Sequence, residues 1–158
     1  MDETYVSVIG AGSCGEELAA QAEEVGRLLA ERGCVVVCGG MDGGVMAAVA
    51  RGARRGGGRC LGLLPNLDRR RASPDLTFSL CTGIGHARNL AVAASGDVVI
   101  AVGGEWGTLS EIALARAAGR QVVLLASWEV RPASGPPEGV HRAATPREAV
   151  ELALSLLT

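Results

Sequence analysis

The chain of 158 residues has no lysine: all 15 of its basic residues are arginine. That absence excludes an internal Schiff base with pyridoxal phosphate, a P-loop lysine at a β/γ-phosphate, and a lysine general base. Arginine stays charged at physiological pH, so these residues bind and orient but hardly shuttle protons. Aromatics are scarce, with two Trp, one Tyr and one Phe. Neither sign of charge dominates, since 17 acidic residues leave a formal net of −2. The clustered positive surplus that marks nucleic-acid or anionic-membrane binding is therefore missing. Long apolar runs are missing too. The longest, 90–102, is broken by Ser95-Gly96-Asp97 and is too short to span a bilayer. The acidic start Met1-Asp2-Glu3-Thr4 runs straight into a strand-like segment, which predicts no signal peptide. The five cysteines (Cys14, Cys34, Cys38, Cys60, Cys81) are odd in number, form no C-x-x-C pair, and lie mostly in or beside apolar runs. They read as reduced, mostly buried thiols of a soluble cytoplasmic protein, without a disulfide frame or a metal site.

What is present is an alternation. Short β-branched runs at 5–9, 34–38, 60–64, 77–81, 97–102 and 121–126 read as strands. Most are apolar at successive positions, as expected of a parallel sheet covered on both faces. Helical segments are expected at 16–32, 44–55, 85–95, 108–119 and 146–157. The whole chain, 1–158, thus reads as one α/β domain: a doubly wound, mostly parallel, Rossmann-like sheet of six or seven strands with helices on both faces. The polar segment 66–75, with Arg69-Arg70-Arg71, and the Pro/Gly-rich segment 127–139 read as surface loops. The arginine run is a solvated loop in the simplest reading, and could guide an anionic ligand.

Many of the 23 glycines gather in three strand–turn–helix junctions. The first is Gly10-Ala11-Gly12-Ser13-Cys14-Gly15, the second Gly39-Gly40-Met41-Asp42-Gly43-Gly44, and the third Gly103-Gly104-Glu105-Trp106-Gly107-Thr108. A parallel sheet puts all three at the carboxyl edge of its strands, where ligands bind at the switch in strand order. Glycines let backbone approach a phosphate, and helix N-termini supply amide donors. The first junction is a full G-x-G-x-x-G. A dinucleotide reading would require an acid at the end of the second strand, however, and that position holds Gly39-Gly40. A smaller phosphate ligand fits better.

Thr108 and Glu111 follow the third junction, where Thr108 could donate to a phosphate and Glu111 could face the same cleft. Their Thr-x-x-Glu spacing is also that of a helix capping box, and on spacing alone the cap is favoured. The same spacing occurs at Ser13-x-x-Glu16 and Thr145-x-x-Glu148. Arg88, entering an otherwise apolar helix, suits a phosphate or carboxylate clamp, or else a surface or interface ion pair. His86 and His141 lack partners at metal-ligand spacing and read as structural. Cys14 reads as a loop residue.

These residues together resemble a known family. Cys38-Gly39-Gly40 with Gly43-Gly44-Val45-Met46, then Arg88-Asn89, then Gly103-Gly104-x-x-Gly107-Thr108-x-x-Glu111, is similar to the LOG ("lonely guy") superfamily, often mislabelled as lysine decarboxylases. Characterised members hydrolyse the N-glycosidic bond of nucleoside 5′-monophosphates, releasing a free base and ribose 5-phosphate. The resemblance implies catalytic roles for Arg88 and Glu111. It implies ligand contacts at Gly10, Gly12, Ser13, Gly39, Gly40, Gly43, Gly44, Asn89, Gly103, Gly104, Gly107 and Thr108. Val102 stands where the enzymes carry proline, and Asn89 follows Arg88 where they carry lysine. Arg88-Asn89, with Gly107-Thr108-Leu109-Ser110-Glu111-Ile112 after the glycines, resembles the branch that includes the molybdenum cofactor carrier protein. The alternative expectation is therefore a non-catalytic carrier or sensor of a molybdopterin-type ligand or a nucleotide. Either way no resident cofactor is required, the partner is a small phosphorylated ligand, and the family resemblance implies a homodimer or larger homo-oligomer.

Overall fold

The apolar runs become the interior of a seven-stranded sheet in a computed structural model that describes residues 2–158. In chain order the elements are β1 (Tyr5–Gly10), α1 (Glu16–Glu31), β2 (Val35–Cys38), α2 (Gly44–Arg55), β3 (Arg59–Leu64), β4 (Phe78–Cys81), α3 (Arg88–Ser95), β5 (Val98–Val102), α4 (Trp106–Ala117), β6 (Gln121–Leu125), β7 (Val140–Ala143) and α5 (Pro146–Ser155). Two short 3-10 turns, Arg69–Arg71 and Gly85–Ala87, flank β4. The strand order is β4-β3-β2-β1-β5-β6-β7, and every pairing is parallel. The order reverses between β1 and β5, which is the switch point of a doubly wound sheet. No described helix is long and apolar enough to cross a membrane.

Helices α1, α2 and α5 cover one face of the sheet and α3 with α4 the other. Strands β2 and β5 are buried along their whole length, because both faces are covered. The only buried polar group on β1 is satisfied: Ser7 Oγ donates to the Val92 carbonyl at 2.6 Å. Helix α1 presents Ala22, Val25, Leu28 and Leu29 inward at the spacing of one helix face. Its crossing with α2 is close. A Cβ on Gly52 would strike the Glu23 carbonyl, and one on Gly26 would strike the Val49 carbonyl. These mid-helix glycines, costly for helix propensity, are explained by that contact.

Two strands depart from expectation. The segment 140–143, not expected as a strand, forms the edge strand β7, and His141 Nε2 lies 2.9 Å from Gln121 Oε1 across it. That contact agrees with a structural histidine. At the other edge β4 is not covered: Phe78 is 59% and Leu80 53% exposed, and Cys81 is exposed as well. All five cysteines are free; Cys34, Cys38 and Cys60 are buried and Cys14 is half-buried.

Candidate functional site

The three glycine junctions meet at the switch point because each follows one of the central strands β1, β2 and β5. The first two are locked together. Gly44, with φ +54°, packs on the Ala11 carbonyl, and Val45 N donates to that same oxygen at 2.9 Å. The third turns on Gly103 (φ +59°) and Gly104 (φ +114°), conformations that L side chains rarely adopt. Glu105 is then extended and acts as the N-cap residue, so α4 starts at Trp106.

That start decides the roles of Thr108 and Glu111. Thr108 is the third residue of the helix rather than its cap, and Glu111 lies a further turn in. The capping-box reading of this pair is therefore incorrect, and no side chain caps α4. Nor does Ser13 cap α1, whose N-cap is Gly15. At α5 the pair does cap: Glu148 N donates to the N-cap Thr145 Oγ1 at 3.1 Å, and Ala144 N, one residue before the cap, donates to Glu148 Oε2 at 2.8 Å.

A cleft of about 210 Å³ opens between the junctions. Of the residues singled out in the sequence it is lined by Gly10, Gly12, Gly39, Arg88, Asn89, Gly107, Thr108 and Glu111. Ser13, Gly40, Gly43, Gly44, Gly103 and Gly104 lie outside its lining. Gly40 (φ +76°) packs against Gly62, Gly103 against Leu18, and Gly104 over Thr108, so these glycines shape the turns. Gly43 lines an adjoining groove. Gly12 and Gly107 differ from the others: a Cβ on either would meet nothing within 4 Å and would adopt an ordinary φ. The protein itself does not demand glycine there; what the absent side chains leave is open cleft.

Arg88 heads α3 and reaches under the second junction. Its Nη1 donates to the carbonyls of Gly39 and, at 2.7 Å, Leu63, while its Nε donates to Asn89 Oδ1 at 3.0 Å. No described carboxylate of the chain pairs with it, so it forms no ion pair on the chain's own surface. A Cβ on Gly39 would lie 2.6 Å from Arg88 Nη1, so glycine there makes room for the arginine. Burial lowers the guanidinium pKa, against the opposing pull of Glu111 and Cys38. Glu111 is half-buried. Burial raises its pKa from 4.5 to about 7, with the Arg88 charge pulling the other way. The two groups thus share one poorly solvated cleft, a setting typical of functional sites.

The sequence reading missed Met46, His86 and Glu105 in the cleft lining. His86 is exposed at its edge, not structural. Its place two residues before Arg88, in the same Gly-rich segment, was the available signal. A larger hollow of about 500 Å³ lies under the loop of 127–139, lined by Pro132, Pro136, Pro137, Leu124 and Val130. Its charged groups are the rim residues Glu129, Arg131 and Arg142, which are partnered with one another. The cleft is the better candidate because its polar groups converge on the switch point.

A model of the SLOG cluster4 family matches residues 3–150. An uncharacterised protein of Archaeoglobus fulgidus is 41% identical over 150 residues, 95% of this chain and 94% of that one. A probable cytokinin riboside 5′-monophosphate phosphoribohydrolase of Oryza sativa subsp. japonica is 37% identical over 93 residues, 58% of this chain and 38% of that one. The solved structure of the molybdenum cofactor carrier protein of Chlamydomonas reinhardtii superposes with a TM-score of 0.89 at 32% identity, covering 99% of both chains.

Proposed function

The chain belongs to the SLOG cluster4 family, and from that premise we propose that its cleft binds a nucleoside 5′-monophosphate and hydrolyses the N-glycosidic bond. One observation carries the proposal: a half-buried carboxyl, Glu111, with a pKa near 7, beside an arginine that no described carboxylate neutralises. The amides at the start of α4, the Thr108 hydroxyl and the Arg88 charge hold the phosphate. The ionised Glu111 stabilises positive charge developing on the ribose and takes a proton from the attacking water. The C–N bond breaks, water supplies the new C–O bond, and the base leaves with a proton as ribose 5-phosphate forms. Gly12 and Gly107 leave the space for the ligand. The phosphoribohydrolase relative supports this reading.

A second reading, a carrier of a molybdopterin-type ligand, is favoured by the near-complete match to the carrier protein fold. In that case the same cleft binds without cleaving. Incubating the protein with a panel of nucleoside 5′-monophosphates, while following ribose 5-phosphate release and thermal unfolding, separates the two. Release establishes the hydrolase. Thermal stabilisation without release moves the assignment to the carrier, and neither effect with any monophosphate sinks the cleft as their site.

The uncovered β4 edge, with Phe78, Leu80 and nearby exposed Leu67 and Ile84, supports association with a second copy of the chain. Light scattering on the same preparation tests it, and a monomer at micromolar concentration overturns it.

A further inference from the structure

The cleft is small for the ligand proposed for it. Its 210 Å³ falls below the roughly 300–1,000 Å³ of sites that enclose a small molecule. A nucleotide seated there must therefore extend past the rim. On one side that rim is Gly12, where no side chain stands. Beyond it lies a second groove of about 400 Å³, lined by Gly12, Met41, Asp42, Gly43, Arg70 and Arg71.

The arginines of this groove are not on a free loop. Asp68 caps their 3-10 turn, accepting from Arg70 N at 3.0 Å. Backbone bonds then fasten the turn to the second glycine junction. Asp42 N donates to the Arg71 carbonyl at 3.1 Å, Ser73 N donates to the Gly40 carbonyl at 2.9 Å, and Met41 bridges Ala72. The Arg70 side chain pairs with Asp68 at 2.9 Å. Arg71 pairs with no described carboxylate. Asp42 is the one acidic residue lining the groove, set against two guanidinium groups.

The charge of the cleft itself is the complement of this. Arg88 is its single cation, with Nη1 and Nε already committed to Gly39, Leu63 and Asn89, and two carboxylates, Glu111 and Glu105, line the same cleft. One phosphate can be served by turn amides and that single charge. A second anionic group finds no further counter-charge inside the cleft, and finds the unpaired Arg71, with Arg70 held by Asp68 beside it, just beyond Gly12.

We infer that the groove over the second glycine junction is an anion subsite, in which Arg71 and Arg70 bind a second phosphoryl group of the ligand. The ligand class this selects is a nucleotide carrying more than one phosphoryl group. The inference rests on the reading of the cleft as a nucleotide site, and the test separates the two. Calorimetric titrations compare adenosine 5′-monophosphate with adenosine 5′-diphosphate and adenosine 3′,5′-bisphosphate, on the natural protein and on an R70A/R71A double variant. At least one of the doubly phosphorylated probes binds ten or more times more tightly than the monophosphate. The double variant loses that gain and keeps monophosphate affinity within about threefold. Both side chains are exposed, so its thermal unfolding midpoint serves as the folding control. Monophosphate binding with no gain from a second phosphoryl group, or a gain that survives the double substitution, overturns the subsite alone. Failure of all three probes to bind overturns the subsite and the nucleotide cleft together.

Discussion

Helices α4 and α5 each carry Thr-x-x-Glu near their start, yet the two pairs do opposite things. At α5 the helix begins directly after Thr145, so the hydroxyl and carboxylate are spent on orphan backbone amides. At α4 two left-handed glycines and the extended Glu105 start the helix earlier, at Trp106. The same spacing then falls one turn deeper. Thr108 is buried, Glu111 is half-buried, and neither serves as a cap. A capping box is thus a property of where the helix starts and not of the residue spacing. A carboxylate released from capping duty, and placed where burial raises its pKa, is available for chemistry.

The largest effect expected from breaking this contrast is on activity. Glu111→Ala lowers ribose 5-phosphate release by roughly 10²–10⁴-fold, the range of a positioned acid–base group. Glu148→Ala leaves the rate unchanged and costs only about 1 kcal/mol of stability. Equal rates for Glu111→Ala and the natural protein would remove Glu111 from the mechanism.

Stability gives a second, smaller contrast that needs no substrate. The folded pKa of Glu111, about 7, lies above its ordinary 4.5. Between those values the folded state keeps a proton that the unfolded chain gives up. Stability from this group therefore falls as pH rises from 4.5 through 7 and is flat above that. The full loss is up to about 3 kcal/mol, less whatever solvent screens. Glu111→Gln cannot ionise, so urea unfolding finds it more stable than the natural protein at pH 8, with the advantage shrinking towards pH 4.5. Parallel curves for the two proteins across this window would show that Glu111 titrates as an ordinary carboxyl. Glu148→Gln, at an exposed cap that keeps an accepting oxygen, changes stability by under about 0.5 kcal/mol.

The difference between the two helices also marks what the sequence could and could not reveal. The alternation of apolar strands and amphipathic helices carries the α/β class, and the three glycine clusters carry the location of the cleft. Arg88 stands out as a charge entering an apolar helix, and Glu111 by its place one turn into the helix after the third glycine junction. The start of α4 was not legible, since it depends on Gly103 and Gly104 taking positive φ. Nor were the partners of Arg88, because the carbonyls of Gly39 and Leu63 have no side-chain signature. β7 escaped because Val-His-Arg-Ala is not an apolar run and is strand only through its pairing with β6. The exposure of β4 escaped for the reverse reason: its apolar alternation reads as buried, and only its edge position leaves it uncovered.

The smallest contrast lies in the two threonines and is the most selective test of the comparison. Thr145 caps α5 with a hydrogen bond, so Thr145→Ala costs about 1 kcal/mol in chemical denaturation and leaves monophosphate affinity alone. Thr108→Val keeps the β-branched shape in its tight contact with Gly104 and breaks no bond to the chain, so stability stays within about 0.5 kcal/mol. Its effect falls on the ligand instead. Losing one donor to a phosphate oxygen weakens adenosine 5′-monophosphate binding several-fold, as calorimetry would show. If Thr108→Val destabilised the fold as much as Thr145→Ala while sparing the ligand, the two helix starts would be alike after all, and the hydroxyl at α4 would belong to the helix rather than to the cleft.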